Sequence, residues 1–275
     1  MKIIKLRFCQ SITKLPDLCS PNLEELDLSD CESLIEVHES IGFLERLKKW
    51  DLSYCEKLQI LPSMLMLKSL EHFELKRCSR LEKFPDIHPE MKCLKKLNFF
   101  CSGIRELPLS LLYLTGLATL EATCCSKLMK IPVRANKSEM QEEGDIPSAK
   151  LTLACNSFNN FLGPTGFLCL TQLNLEWCPI EVELDSWMQP DYFPVLKTLY
   201  LYNTGIVTIP ESISRFTTLR QLFLTNCKKL REIPRLPQSI RTVEAQDCDR
   251  LDSQSSSRLL NQVSLSFSFS LKVKL

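Results

Sequence analysis

Fourteen cysteines and three histidines are the residues of this 275-residue chain whose side chains most readily do chemistry. As thiolates and imidazoles they would bind zinc, run thiol–disulfide exchange, or pair as nucleophile and base. Each of these chemistries demands a spacing. No two cysteines stand at Cys-x-x-Cys spacing, which argues against a zinc ribbon and a thioredoxin-like redox site. His38, His72 and His88 are scattered and suggest no triad. Only seven glycines are present, and neither G-x-x-x-x-G-K-[ST] nor G-x-G-x-x-G occurs, so no phosphate-cradling loop is expected. The sequence therefore predicts no catalytic residue, no cofactor and no metal site. Its 34 Lys and Arg against 33 Asp and Glu leave a formal charge of +1, which argues against a nucleic-acid binder that works through excess cations. No run of 18 apolar residues exists to cross a membrane, and Lys2, Lys5 and Arg7 interrupt the N-terminus where a signal peptide would be apolar. The thiols thus read as reduced and the chain as cytosolic. A single sequon, Asn136-Lys137-Ser138, is no more than chance supplies.

What positions the cysteines is a repeat. Leu23-Glu-Glu-Leu26-Asp-Leu28-Ser-Asp-Cys31 is followed by Leu47-Lys-Lys-Trp50-Asp-Leu52-Ser-Tyr-Cys55 and by Leu70-Glu-His-Phe73-Glu-Leu75-Lys-Arg-Cys78. The template is L-x-x-L-x-L-x-x-C-x-x-L-x-x-L-P. Its anchors fall at Cys9, Cys31, Cys55, Cys78, Ser102, Cys125, Asn156, Cys178, Thr204, Cys227 and Cys248, about 24 residues apart, within the range of leucine-rich repeats. Ser102-Gly-Ile104 and Thr204-Gly-Ile206 are one residue shorter between anchor and Pro. In x-L-x-L-x the two leucines point to one side of a short strand, and no single repeat can bury that face. The expected fold is therefore an α/β leucine-rich-repeat solenoid of about 11 repeats. A parallel sheet forms its concave face, with short helices or irregular turns on the convex side. The anchor satisfies backbone groups of the tight loop, so the cysteine column reads as a ladder of buried structural thiols.

The repeat domain spans 1–252, with an inserted polar loop at 133–150 that carries Glu139, Glu142, Glu143 and Asp145. Asn156 to Leu168 is a degenerate copy, and Pro179 to Pro194 is irregular around Trp187 and Met188. Residues 253–275 read as a Ser-rich linker, Ser253 to Ser257, and a short tail whose Ser264–Leu275 alternation would suit a strand. That alternating face is an aggregation risk if unpaired. Met1 begins inside a repeat with no cap before it, so the chain is expected to be a piece of something longer.

The x positions of the strands build the open face. Its central column reads Lys5, Asp27, Asp51, Glu74, Asn98, Glu121, Thr152, Asn174, Tyr200, Phe223 and Glu244. Asp27, Asp51 and Glu74 would stand side by side, offset by Lys49 and Lys76; this is either a solvated mixed-charge face or an acidic patch for a basic partner. Further on, Tyr200, Tyr202 and Phe223 project outward with Glu176 just before and Thr225 beside. Clustered exposed aromatics are typical of protein-binding hot spots. They would meet a partner or, alternatively, a further C-terminal domain of the same protein.

The Cys anchors, the Ser102 and Thr204 variants, and the string Leu236-Pro-x-Ser-Ile240-Arg-x-Val243-x-Ala-x-x-Cys248 together resemble the repeat region of plant intracellular receptors for disease resistance. The likeness is to the TIR-type nucleotide-binding leucine-rich-repeat class, the group of the tobacco mosaic virus resistance protein N, and covers roughly residues 1–262. It implies a protein-binding module that senses a pathogen effector, directly or through a guarded host protein, and helps hold the receptor inactive against its own nucleotide-binding domain. It implies a cytoplasmic or nucleo-cytoplasmic setting and no enzyme activity, since the TIR and nucleotide-binding domains would lie outside this chain. A post-repeat domain would follow. The alternative is an intracellular repeat scaffold that regulates small GTPases, which shares the L-P-x-x-[IL] turns.

Overall fold

The computed structural model describes residues 1–128, 166–179, 184, 188–264 and 270–272. Strands come in two kinds. Three-residue strands carry the x-L-x cores of the repeats, and two-residue strands lie between some of them. In chain order the first half contains β1 (Ile3–Lys5), β2 (Lys14–Leu15), β3 (Glu25–Asp27), β4 (Glu36–Val37), β5 (Lys49–Asp51), β6 (Met64–Leu65), β7 (His72–Glu74), β8 (Asp86–Ile87), β9 (Lys96–Asn98) and β10 (Thr119–Glu121). Then follow β11 (Gln172–Asn174), β12 (Thr198–Tyr200), β13 (Gln221–Phe223), β14 (Thr242–Glu244), the helix α1 (Ser253–Ser264) and β15 (Ser270–Lys272). One parallel sheet of 11 strands runs β1-β3-β5-β7-β9-β10-β11-β12-β13-β14-β15, while β2 pairs with β4 and β6 with β8 on the other side of the solenoid. The returns carry 3-10 turns at Glu39–Phe43, Leu109–Tyr113, Pro190–Tyr192 and Glu211–Arg215. Three of these turns begin just after the residue that closes a repeat: Pro108 and Pro210 end extended chain because they have no N–H to donate, whereas His38 caps its turn by accepting from the Ser40 N–H.

The leucines of the template form one continuous core. Leu23, Leu26, Leu28, Leu34, Leu47, Leu52 and their counterparts through Leu224 and Leu230 are buried, none more than 2% exposed. The cysteine ladder is as expected, and the hydrogen bonds show its purpose. Each buried thiol donates to the carbonyl that ends the strand of the preceding repeat: Cys31 Sγ to Leu6 at 2.9 Å, Cys55 to Leu28 at 3.2 Å, Cys78 to Leu52 at 3.2 Å and Cys227 to Leu201 at 3.1 Å. Burial pushes these thiols up, Cys55 to about 12, so they stay protonated donors. Replacing Cys78 by alanine leaves the Leu52 carbonyl without this donor and opens a small void. We expect a loss of about 1–2 kcal/mol in denaturant unfolding. Cys78→Ser, which keeps a hydroxyl donor, should lose less.

Two sequence expectations meet a different structure. The repeat anchored at Asn156, with its column residue Thr152, lies outside the described residues, as do the 133–150 loop and Trp187. What the structure does show is that β10 and β11 pair directly, Glu121 beside Asn174, although the bonded residues Thr171 and Ala118 are 53 positions apart. The thiol ladder crosses the same seam, from Cys178 to the Ala122 carbonyl at 3.0 Å. The second correction concerns the linker. Ser253 to Ser257 begins the helix α1, whose first turn is capped by the Asp252 carboxylate accepting from the Ser255 N–H. Ser255, Leu259 and Gln262 fall on one helical face. Ser255 and Leu259 are buried, the Ser255 hydroxyl accepts from the Ile233 N–H, and Gln262 bonds both backbone groups of Leu236. Serine composition suggested a linker; the spacing of these three residues makes a docked helix. The alternating tail supplies β15, which extends the sheet with Leu271 beside Val243.

Just before each sheet strand stands a column linked by backbone bonds, and in the first half it alternates in charge: Lys2, Glu24, Lys48, Glu71, Lys95. Glu24 lies 2.7 Å from both Lys2 and Lys48, and Glu71 2.8 Å from Lys95. Hydrogen bonds from the two lysines hold the Glu24 carboxyl down at about 2, against an ordinary value of 4.5. Its folded value is the lower one, so its contribution is complete above the unfolded value and is lost as pH falls through the folded one. The stability difference between wild type and Glu24→Gln should accordingly be constant at neutral pH, shrink below pH 4.5 and vanish near pH 2. Denaturant titrations of both proteins across that range would measure it.

Candidate functional site

The register of the sheet places Lys5, Asp27, Asp51, Glu74, Asn98, Glu121, Asn174, Tyr200, Phe223 and Glu244 in one row across adjacent strands. Of the eight predicted contact residues, Asp27, Asp51, Glu74, Tyr200 and Phe223 stand in this row, and Glu176, Tyr202 and Thr225 stand two residues beyond it in the turns that follow the strands. Asp27, Asp51 and Glu74 stand side by side, and their carboxylates are engaged within the chain. Asp27 Oδ1 accepts from the Ser29 N–H at 3.0 Å and the Ser29 hydroxyl at 2.7 Å, and its other oxygen lies 3.7 Å from Arg7 Nε. Asp51 accepts from the Ser53 N–H at 2.8 Å. Glu74 pairs with Lys76 at 3.2 Å and Lys96 at 3.3 Å. Lys76 therefore offsets the charge as the sequence suggested, while Arg7 and Lys96 do what was expected of Lys49.

The same short bond recurs in Asn98 and Asn174, each of which accepts from the N–H two residues on. It closes the turn that leads to a left-handed residue immediately before each anchor. Phe8, Asp30, Tyr54, Arg77, Cys101, Cys124, Trp177, Asn203, Asn226 and Asp247 have φ between 54° and 64°. A left-handed L-residue costs about 1–2 kcal/mol. From Phe8 through Asn226 each turn offsets this by sending the N–H of that residue to a carbonyl of the next repeat, as Tyr54 does to Lys76 at 2.7 Å and Trp177 to Tyr202 at 2.9 Å.

Toward the C-terminal repeats the face becomes aromatic. Tyr200 and Phe223 are register neighbours whose rings stack at 4.8 Å with 5° between planes. Tyr202 meets the Trp177 ring at 5.6 Å, tilted 54°. Trp177 is 49% exposed. Sequence reasoning missed it because it stands in the anchor-minus-one position rather than on a strand. The available signal was that Phe8 and Tyr54, also exposed, occupy that same position. Glu121 and Glu176 border the stack, and no salt bridge to either is found among the described residues. Burial, and then the charge of Glu121, raises the Glu176 carboxyl above its ordinary range, while burial followed by the two carboxylates raises the Tyr200 phenol. The Thr225 hydroxyl beside them is buried and has no hydrogen-bond partner among the described residues. An unpaired buried hydroxyl costs free energy that a docked partner can recover.

Nothing in this arrangement resembles a catalytic centre. His38 Nδ1 accepts from the Ser40 N–H at the start of a 3-10 turn, and His88 caps Glu90 in the same way. No group of three His, Cys, Asp or Glu residues placed to hold a metal ion occurs among the described residues. The chemistry the face offers is stacking, carboxylate charge and the buried, unpaired Thr225 hydroxyl.

A family model of leucine-rich repeats of the disease resistance protein RPS4B-like type matches residues 66–137. The chain is 26% identical to TMV resistance protein N of Nicotiana glutinosa over 90% of its own length. It is 37% identical to disease resistance protein RPP2A of Arabidopsis thaliana over 48% of its length. The chain is similar to the leucine-rich-repeat regions of plant disease-resistance proteins. It spans 25% of the first relative and 10% of the second. Among solved structures, the leucine-rich repeat domain of the type III effector XCV3220 (XopL) matches with a TM-score of 0.50 at 19% identity, covering 86% of this chain and 75% of that one. That likeness shows the fold alone. No helix of the described residues is long and apolar enough to cross a membrane.

Proposed function

We propose that this module recognises a protein through Glu176, Tyr200, Tyr202, Phe223 and Thr225, with Trp177 completing the surface. Within a cytoplasmic resistance receptor the partner is a pathogen effector or a guarded host protein. Contact between the module and the receptor's own nucleotide-binding domain keeps the receptor inactive until that partner arrives. Asp27, Asp51 and Glu74 extend the face toward the N-terminus, but their carboxylates are already held within the chain, so the aromatic end supplies most of the affinity. The module binds and does not catalyse. The observation that carries this reading is the Tyr200–Phe223 stack on an open sheet face, bordered by carboxylates without a cation partner among the described residues. Large aromatic rings left in water are costly, and at interfaces they are the residues that dominate binding energy.

The test is proximity labelling in plant cytosol with wild type and a Tyr200→Ala/Tyr202→Ala/Phe223→Ala variant. All three rings lie on the outward face, so the variant should accumulate and retain the circular dichroism of wild type. Loss of one discrete partner, with affinity reduced at least about 30-fold as hot-spot truncation implies, is the expected result. Identical labelling profiles from two equally folded proteins would remove these residues from the site.

A further inference from the structure

The column that precedes the strands changes character across the molecule. Through the first repeats it alternates, Lys2, Glu24, Lys48, Glu71, Lys95, with ion pairs between neighbours. After Ala118 and Thr171 it reads Lys197, Arg220, Arg241. A backbone ladder still joins these positions: Lys197 donates to Thr171 at 2.9 Å, Arg220 to Lys197 at 2.8 Å and Arg241 to Arg220 at 2.7 Å. Three exposed cations therefore stand on consecutive strands, at the roughly 4.8 Å spacing of a sheet. No salt bridge to any of them is found among the described residues. Arg241 points a guanidinium nitrogen at the Gln238 and Ile240 carbonyls. The adjoining inner column is neutral here, Gln172, Thr198, Gln221 and Thr242, where the first half has Glu25 and Lys49. Two clefts, about 370 and 480 Å³, open along the stripe, and neither is lined by a carboxylate. Like charges on adjacent strands are destabilising. The chain avoids that arrangement in its first five repeats and adopts it in three of the last.

We propose that Lys197, Arg220 and Arg241 form a docking stripe for an acidic segment of a protein partner, whose Asp and Glu carboxylates take the alternating place that glutamate fills in the first half. Complementarity of charge favours this occupant, and the hydroxyl-rich lining offers further donors to carboxylate oxygens. The stripe lies three residues from Tyr200 and Phe223 along the same strands, about 10 Å away. One extended segment can therefore reach both, but the inference does not require the aromatic face to be a contact.

The stripe makes an unusual prediction for one substitution. Arg220→Glu restores the pattern cation–anion–cation of Lys2, Glu24 and Lys48, so it should raise Tm by about 1–3 °C while weakening binding of a labelled oligoglutamate peptide about tenfold or more. Lys57→Glu makes the same charge change on an exposed site elsewhere and should leave both readouts near wild type. Fluorescence anisotropy with oligoglutamate, a neutral peptide of equal length, duplex DNA and phosphatidylserine vesicles, at low and high salt, provides the comparison. The proposal is overturned if Arg220→Glu binds oligoglutamate like wild type, if Lys57→Glu loses as much, or if DNA or vesicles bind more tightly than oligoglutamate. Should Arg220→Glu lower Tm, Arg220→Gln becomes the variant read for binding, and unchanged affinity there overturns the proposal.

Discussion

Replacing Phe73 by alanine should cost about 3–5 kcal/mol, the range for emptying a buried aromatic site. Phe73 occupies a leucine position of the repeat and has no solvent exposure. Its ring stacks on Trp50 at 4.8 Å with 14° between planes, and touches Phe84 at 6.3 Å, which in turn meets Phe99 at 6.3 Å. Four aromatic residues thus thread through successive repeats, each filling volume that a leucine would not. The loss combines the transfer free energy of the ring with the cavity that Trp50 and Phe84 cannot close without shifting the backbone that carries them. Phe73→Leu, which restores the template residue, should recover most of it. Because repeats support one another only through their neighbours, the damage is local before it is global. Native-state hydrogen exchange should show protection lost first at β5, β7 and β9, with β13 and β14 unaffected. A uniform loss across the sheet, or a cost below about 1.5 kcal/mol, would mean that the aromatic run contributes no more than leucines would.

Gly103→Ala should be nearly as damaging, for a different reason. A Cβ on Gly103 would lie 2.3 Å from the Ser79 carbonyl oxygen, 2.9 Å from the carbon of that carbonyl and 3.2 Å from the Leu81 oxygen. All three are backbone atoms of the preceding repeat, so no rotamer can move aside. The Gly103 N–H also donates to the Cys78 carbonyl at 3.0 Å, in the same turn that holds the thiol ladder. Relieving the clash means parting two repeats. We expect about 3 kcal/mol, the upper end of overpacking costs, and a fall in Tm of about 6–12 °C at the scaling for chains of this size. A thermal melt of Gly103→Ala beside wild type decides it; a shift of a degree or less would show that the repeat step is soft. The contact explains why glycine stands at 103: the chain passes too close to its neighbour there for any side chain.

The repeat register could be read from residue types because its determinants are local and recur. Leucine at alternate positions and a cysteine three residues later place Asp27, Asp51, Glu74, Tyr200 and Phe223 in a single row. What escaped the reading lacked such a local mark. Ten left-handed residues precede the anchors, and none is glycine, so the residue most associated with that conformation was absent from every one. Trp177 belongs to this set, and its place on the aromatic surface depends on a backbone turn that its own side chain does not encode. The alternating charge column was invisible for another reason: Glu24 and Lys48 are 24 residues apart, far beyond the local pairings that sequence inspection considers. The helix α1 was hidden by composition, since serine is common in linkers and equally common beside a helix start.

The direct pairing of β10 with β11 has a consequence for how the chain comes together. Elsewhere a strand finds its neighbour by closing a loop of about 23 residues, whereas Thr171 reaches Ala118 across 53. Loop-closure entropy grows only as the logarithm of length, so the longer excursion costs roughly 0.7 kcal/mol more, (3/2)RT ln(53/23). That is about the worth of one surface ion pair. Two runs of repeats can each assemble from near neighbours and then meet at this seam, where β10 and β11 register at little extra expense. The same arithmetic makes the seam a permissive place for change: length can be gained or lost between Leu128 and Gly166 while the hydrogen bonds that join Ala118, Ala122 and Cys124 to the next repeat keep their register.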